Sequence, residues 1–196
     1  MRLEDFELKS EANFYEPLYQ LPQVETPRLI LRRMKLSDAK DLYDYAKDPL
    51  VTRYVMWDAH RTIADSLHFL RCARRQYRLG PCASWGVICK ETGRMIGTIG
   101  FMQANAEHMY AEVGYSIARA YWNRGLATEA LQAVLRYAFE ETDVHRIEAD
   151  HLPENPASGR VMEKCGMQRE GLLRGRVLCK GQFRDVYLYS IIKDRQ

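Results

Sequence analysis

Residues 109–141 read MYAEVGYSIARAYWNRGLATEALQAVLRYAFEE, and the fold turns on this stretch. Its first part alternates. Ala111, Val113, Tyr115 and Ile117 fall on one side and Tyr110, Glu112, Gly114 and Ser116 on the other, the two-residue period of a half-buried strand. After Ala118 the period changes: Ala127, Ala130, Leu131, Val134, Ala138 and Phe139 recur at steps of three and four. A helix with one apolar stripe follows, rich in the helix formers Ala, Leu, Glu and Gln.

A strand, a turn carrying Gly125 and a long helix together aim unpaired backbone N–H groups and the positive end of a helix at one place. A phosphate or pyrophosphate suits that corner. Gly125 lets a ligand approach the main chain, Ala127 is nearly as small, and Arg124 adds a cation. The competing reading is an ordinary strand-to-helix turn, which many α/β proteins contain.

Outward from this stretch, 196 residues with 46% hydrophobic content describe one domain able to bury a core. A net charge of +3 and a pI near 8.6, with the basic residues scattered, do not describe a nucleic-acid binder. The five cysteines form no CxxC pair, which suggests neither a zinc ribbon nor a disulfide framework and fits a reducing cytosol. The five histidines show no metal spacing, so no metal is expected, and His145 and His151 read as structural. The start of the chain lacks an apolar h-region and no window approaches eighteen apolar residues. A soluble cytoplasmic protein is expected.

Residues 1–25 show no firm period and read as an extension, with 26–196 as a single domain. Thr26-Pro27 opens a strand with Leu29 and Leu31 on one face, and Ser37 is the expected N-cap of a helix to about Lys47. Thr62 starts a second helix, with Ala64, Leu67, Leu70, Cys72 and Ala73 as its apolar side, which ends at Gly80-Pro81. A hairpin turning at Glu91-Thr-Gly93 follows, then the alternating strand and the long helix. Next come a strand from about His145, a helix from Pro156, and two tail strands joined through Gly175 and Gly181. The sum is an α+β fold, an α/β sandwich: a mixed, mostly antiparallel sheet of six or seven strands flanked by about four helices.

The segments TPRLILRRMKLSDAKDLYDY, GTIGF, EVGYSIARAYWNRGLATEAL and HRIEADHLPENPASGRVMEKCGMQREG resemble, in order, the motifs of the GNAT acetyltransferase superfamily. Within it they are most similar to the ribosomal-protein N-terminal acetyltransferases of the RimJ/RimL type. The resemblance implies direct acetyl transfer from acetyl-CoA to an amine. It places the pyrophosphate on the turn after the fourth strand and the pantetheine arm where the fourth and fifth strands splay apart.

On that basis the backbone of Asn123, Arg124, Gly125, Leu126, Ala127 and Thr128 binds the pyrophosphate. The family pattern is Arg or Gln, two residues, Gly, one residue, then Gly or Ala; Trp122 stands in its first slot here, a departure from the superfamily. Ser116, Ile117 and Ala118 are where the family holds the pantetheine amides and polarises the thioester carbonyl, against a reading of plain sheet pairing. Asn155 matches the cofactor-contacting asparagine and is equally suited to cap the helix from Pro156. Met162 occupies the slot of the tyrosine that protonates the departing thiolate in many members, and methionine has no proton to give. Ser158, in the Asn-x-x-Ser of the branch, is the replacement candidate for general acid.

An amine attacks only when neutral. At pH 7 deprotonation costs an α-amine about 1 kcal/mol and a lysine about 4 to 5 kcal/mol, so an N-terminal amine needs only a modest base. Glu112, on the face of Ser116, is the candidate base, with a solvated position or a cross-strand ion pair as the alternative; Glu148 and Asp150 are weaker candidates. Tyr54 and Trp57 resemble the stretch that walls the acceptor groove in the family, and read equally as core under a loop. Cys165 reads as core rather than as a nucleophile.

The expected activity is acetylation of a protein N-terminal α-amine, by a monomer or homodimer without nucleic-acid or membrane partners. The alternatives are acetylation of a small amine (aminoglycoside, polyamine or amino acid) and a CoA-binding module without turnover. No GKS, GKT or GxGxxG supports a nucleotide phosphate site.

Overall fold

The computed structural model describes residues 14–193. Its strands are β1 Val24–Glu25, β2 Leu29–Arg32, β3 Ser84–Cys89, β4 Met95–Asn105, β5 Tyr110–Ile117, β6 Arg146–His151, β7 Gln168–Cys179 and β8 Gln182–Ile192. They form one eight-stranded sheet in the order β1-β2-β3-β4-β5-β6-β8-β7. The helices are α1, described over residues 14–19, then α2 Ala39–Ala46, α3 Pro49–Thr52, α4 Ile63–Leu79, α5 Leu126–Glu141 and α6 Pro156–Lys164.

Of the neighbouring pairs only β5 and β6 run parallel, and their ladder stops after Tyr110↔Arg146, Ala111↔Ile147 and Glu112↔Glu148. Beyond Glu112 the two strands part: β5 stays with β4 as far as Gly97↔Ile117, while β6 follows β8 to His151↔Tyr187. The parting coincides with a bulge, where Met102 is the extra residue between Phe101↔Val113 and Gln103↔Glu112. A bulge raises local twist and so turns the rest of β5 away from β6.

The alternation of 110–117 is met in the structure, with Ala111, Val113 and Ile117 buried. In α5 the buried residues include Ala130, Leu131, Val134 and Ala138, at the expected spacing. Helices α5 and α6 cover the face bearing Tyr115, whose hydroxyl reaches Ser158. On the same side Trp85 meets Tyr137 of α5 edge-on at 5.4 Å. Helices α2 and α4 pack together on the other face, where Tyr45 approaches the hydroxyls of Thr98 and Ser116.

Besides the two short helices α1 and α3, which add to the four expected, the structure departs from the sequence reading in four places. The eighth strand is β1, two residues long and so too short to show a period. Ser37 is not the N-cap: Lys35 opens a 3-10 turn, and its N–H is accepted by Asp38, which also receives both guanidinium branches of Arg32 at 2.8 Å. The buried side of α4 is Ser66, Leu70, Ala73 and Tyr77, whereas Ala64 and Cys72 are exposed. Strand β7 runs on through Gly175 to Cys179, because a register shift between Leu173 and Val177 absorbs that glycine at φ 58°.

Within residues 14–25, Phe14, Leu18 and Leu21 enter the main core. The Trp85 indole N–H donates to Pro22 O at 2.7 Å, and the Tyr137 hydroxyl to Pro17 O at 2.8 Å. Each such apolar side chain contributes about 1.5–3 kcal/mol on burial.

Candidate active site

Where β5 and β6 part, a cleft of about 470 Å³ opens between the end of β5 and the starts of α5 and α6. Its lining takes in Ser116, Ile117, Asn123, Gly125, Leu126 and Ala127, and further round Thr128, Asn155, Ser158 and Tyr54. Ala118, Arg124, Glu112 and Trp57 lie outside that lining.

The floor is a turn of two left-handed residues, Asn123 at φ 59° and Gly125 at φ 74°. Glu129 N–H makes the first α5 bond, to Gly125 O at 3.0 Å, so the N–H groups of Leu126, Ala127 and Thr128 have no partner within the helix. Among the described residues, a Cβ on Gly125 would meet only Arg28 Nη2 within 4 Å, at 3.5 Å. The turn is held from behind. Arg28 donates from Nη1 to Arg124 O at 2.8 Å and from Nε to Glu129 at 2.6 Å. Glu129 also accepts from Thr26 Oγ1 and Arg28 N–H. Burial alone would raise the Glu129 carboxyl, but these donors hold it below its ordinary value.

One wall is the free edge of β5. Ala118 N–H donates to Ile96 O at 2.7 Å, so its main chain is committed to β4. Alternation then turns Ser116 to β4 and points the main-chain groups of Val113, Tyr115 and Ile117 at the gap. Of the three strand-end residues expected to bind, only Ile117 therefore presents its N–H there. Ser116 contributes its side chain, 3.2 Å from the Thr98 hydroxyl. Trp122 folds back, and its indole N–H donates to Ile117 O at 2.6 Å. The residue in the unusual slot thus ties the turn to the strand.

The opposite wall is α6. Asn155 makes no side-chain cap bond, so its amide is left to the cleft rather than to the helix. Ser158 Oγ is 2.9 Å from the Tyr115 hydroxyl. Met162 is 1% exposed and packs in the core, so that helix position does not face the cleft at all. Arg160 and Lys164, one turn apart and not singled out in the sequence, add cations to the lining.

Glu112 sits on the other sheet face. Burial first, then the Asp150 carboxylate, push its carboxyl above the ordinary range, against the Gln103 amide and Arg176. Burial likewise raises Asp150. Glu148 is paired with Arg146 at 2.7 Å. On the same face, beside Thr98 and Ser116, the Tyr45 hydroxyl is buried, lacks a well-formed hydrogen bond to either, and is pushed up to about 12 by burial.

The β7–β8 tip docks on α3 and the segment after it: Lys180 Nζ donates to Thr52 O at 2.7 Å and Cys179 Sγ lies 3.7 Å from Val55 O. Tyr54 packs beneath against Leu152, Cys179 and Val186. Trp57 stands instead beside His60, ring centres 5.5 Å apart, and against the main core.

Residues 28–168 match the family described as Acetyltransferase (GNAT) domain. The chain belongs to the GNAT acetyltransferase family. This N-acetyltransferase is 36% identical over 168 residues to the uncharacterized N-acetyltransferase p20 of Bacillus licheniformis, covering 86% of this chain and 94% of that protein. To the ribosomal protein uS5-alanine N-acetyltransferase of Escherichia coli it is 28% identical over 180 residues, covering 86% and 90%. That likeness supports the RimJ/RimL-type branch of the GNAT family. The fold is shared with RimL, a ribosomal α-N-protein acetyltransferase in complex with coenzyme A, at a TM-score of 0.79 and 18% identity, covering 89% of this chain and 100% of that one.

Proposed function

We propose that this GNAT protein transfers the acetyl group of acetyl-CoA directly to a protein N-terminal α-amine in the cytoplasm. The observation that carries the reading is one continuous cleft. It starts at the unpaired N–H groups of Leu126, Ala127 and Thr128, follows the free edge of β5 past Ile117, and ends at Ser158. The donor set fits a diphosphate followed by an amide-bearing arm: main-chain N–H groups and cations at one end, an unpaired strand edge along the side.

Acetyl-CoA, when bound, supplies an activated acyl group on a good leaving group. The chain supplies the rest. Leu126, Ala127 and Thr128 hold the diphosphate with Arg160 and Lys164, and Ile117 N–H donates to the acyl oxygen as charge develops there. Glu112, outside the cleft lining on the opposite sheet face but at the point where the β5–β6 ladder ends, takes the proton of the attacking nitrogen through water in the gap. Its raised pKa brings it closer to that of an α-amine, which makes it a better base for this transfer than an ordinary carboxylate. Ser158 donates a hydrogen bond to the departing sulfur, and the proton it passes on is restored from solvent. Tyr54, under the β7–β8 tip, walls the acceptor side.

Coenzyme A release from acetyl-CoA, measured across N-terminal peptides and small amines, tests the reading. Peptide-dependent release is expected. Release with small amines alone moves the substrate class, and binding without release overturns the catalytic assignment.

A further inference from the structure

The Tyr115 hydroxyl lies 2.9 Å from Ser158 Oγ and 3.0 Å from Ser158 O. It has one proton for two neighbours. A carbonyl can only accept, so at rest Tyr115 donates to Ser158 O and Ser158 Oγ–H turns back onto the phenol. Ser158 O lies inside α6 and also faces the helix N–H four residues on, so it tolerates losing the phenol. The alternative arrangement is then close in energy: Tyr115 donates to Ser158 Oγ, and the serine proton is freed to point into the cleft.

We infer that Tyr115 is the positioning residue of the acid step, a hydrogen-bond switch that fills the Ser158 Oγ lone pair and aims the Ser158 O–H at the leaving group. The inference rests on the role proposed above for Ser158. As the carbon–sulfur bond breaks, its electron pair goes to sulfur, and Ser158 presents its proton there. Tyr115 at that moment moves its own hydrogen bond from Ser158 O to Ser158 Oγ and keeps its proton. Burial pushes that phenol well above its ordinary value, with Cys165 and Tyr189 as its titratable neighbours, so it orients without ionising. Strand β5 thereby serves twice. Its edge lines the cleft through Ile117, and its side chain two residues earlier sets the hydroxyl across the gap.

Tyr115→Phe removes the hydroxyl and keeps the ring. The expected result is a loss of about tenfold in kcat, with the KM for acetyl-CoA held within about twofold. The double variant with Ser158→Ala should be no slower than Ser158→Ala alone, because the two groups act as one unit. If Ser158→Ala is slow and Tyr115→Phe loses less than about twofold, the inference falls and the acid role of Ser158 stands. Losses that multiply in the double variant also overturn it. If Ser158→Ala keeps full turnover, the acid role fails and takes this inference with it. 3-Fluorotyrosine at position 115 keeps ring, hydroxyl and fold but donates a stronger hydrogen bond. A raised kcat with unchanged KM supports the switch, and an unchanged or lowered kcat overturns it.

Discussion

Arg28 and Glu129, 101 positions apart in the chain, join through both the backbone N–H and the Nε of the arginine. The same guanidinium holds Arg124 O, so the residue just before β2 braces the turn that starts α5. The brace keeps the turn's carbonyl pointed inward and leaves its N–H groups facing the cleft. Replacing Arg28 with Ala should weaken acetyl-CoA binding about fivefold, the value of roughly one hydrogen bond, with kcat at saturation nearly unchanged. Calorimetric titration with coenzyme A checks this, and an unchanged Kd would remove Arg28 from the account.

Gly125→Ala separates room from conformation. Protein atoms leave the space open, with Arg28 Nη2 at an ordinary 3.5 Å, but the left-handed φ of 74° costs a non-glycine residue about 1–2 kcal/mol. The methyl group would also stand where the diphosphate is proposed to lie. The expected outcome is a Tm lower by about 2–8 °C and coenzyme A affinity reduced at least about tenfold. Binding at full strength in a folded variant would move the diphosphate elsewhere.

Glu112→Gln should slow turnover by at least about tenfold and remove the acidic limb of the pH–rate profile. Stability should move the other way. The folded pKa of Glu112 is raised, so between the unfolded and folded values the folded state holds the extra proton, and above the folded value the ionised carboxylate opposes folding. A neutral glutamine is free of that penalty. The variant should therefore melt higher than the parent at pH 8, and the difference should shrink as pH falls through the window. A lower Tm at pH 8 with full activity would return Glu112 to a plain strand position.

Leu18→Ala tests whether the segment before β1 belongs to the core. Leu18 is fully buried, and its carbonyl accepts Ala83 N–H at 3.0 Å. A cost of about 2–5 kcal/mol is expected, seen as a drop in Tm of roughly 5–15 °C. A change under about 1 °C would mean that the segment packs without contributing.

What the sequence makes legible here is local. The switch from a two-residue to a 3.6-residue period between Ile117 and Leu126 gives strand, turn and helix, and so the cleft floor. Residues whose roles depend on distant partners carry no such mark. Arg28 reads only as part of a strand opening, and its partners lie at 124 and 129. Tyr115 reads as one more inward residue of β5, because Ser158 is 43 positions away and the two meet only once α6 packs on the sheet. Trp122 shows as a departure from a pattern, and its bond to Ile117 O gives that departure a structural reason. For Asn155, capping and ligand contact call for the same amide, so only geometry could show that it makes no cap bond.

The three ladder pairs that join β5 to β6 make the sheet an open book whose spine runs from Tyr110 to Glu112. Main-chain bonding gives the pages beyond the spine no means of staying in step. A molecule lodged between them would staple both pages into one board, and on the proposed function an acyl donor bound there would also set the spacing at which the acceptor is met.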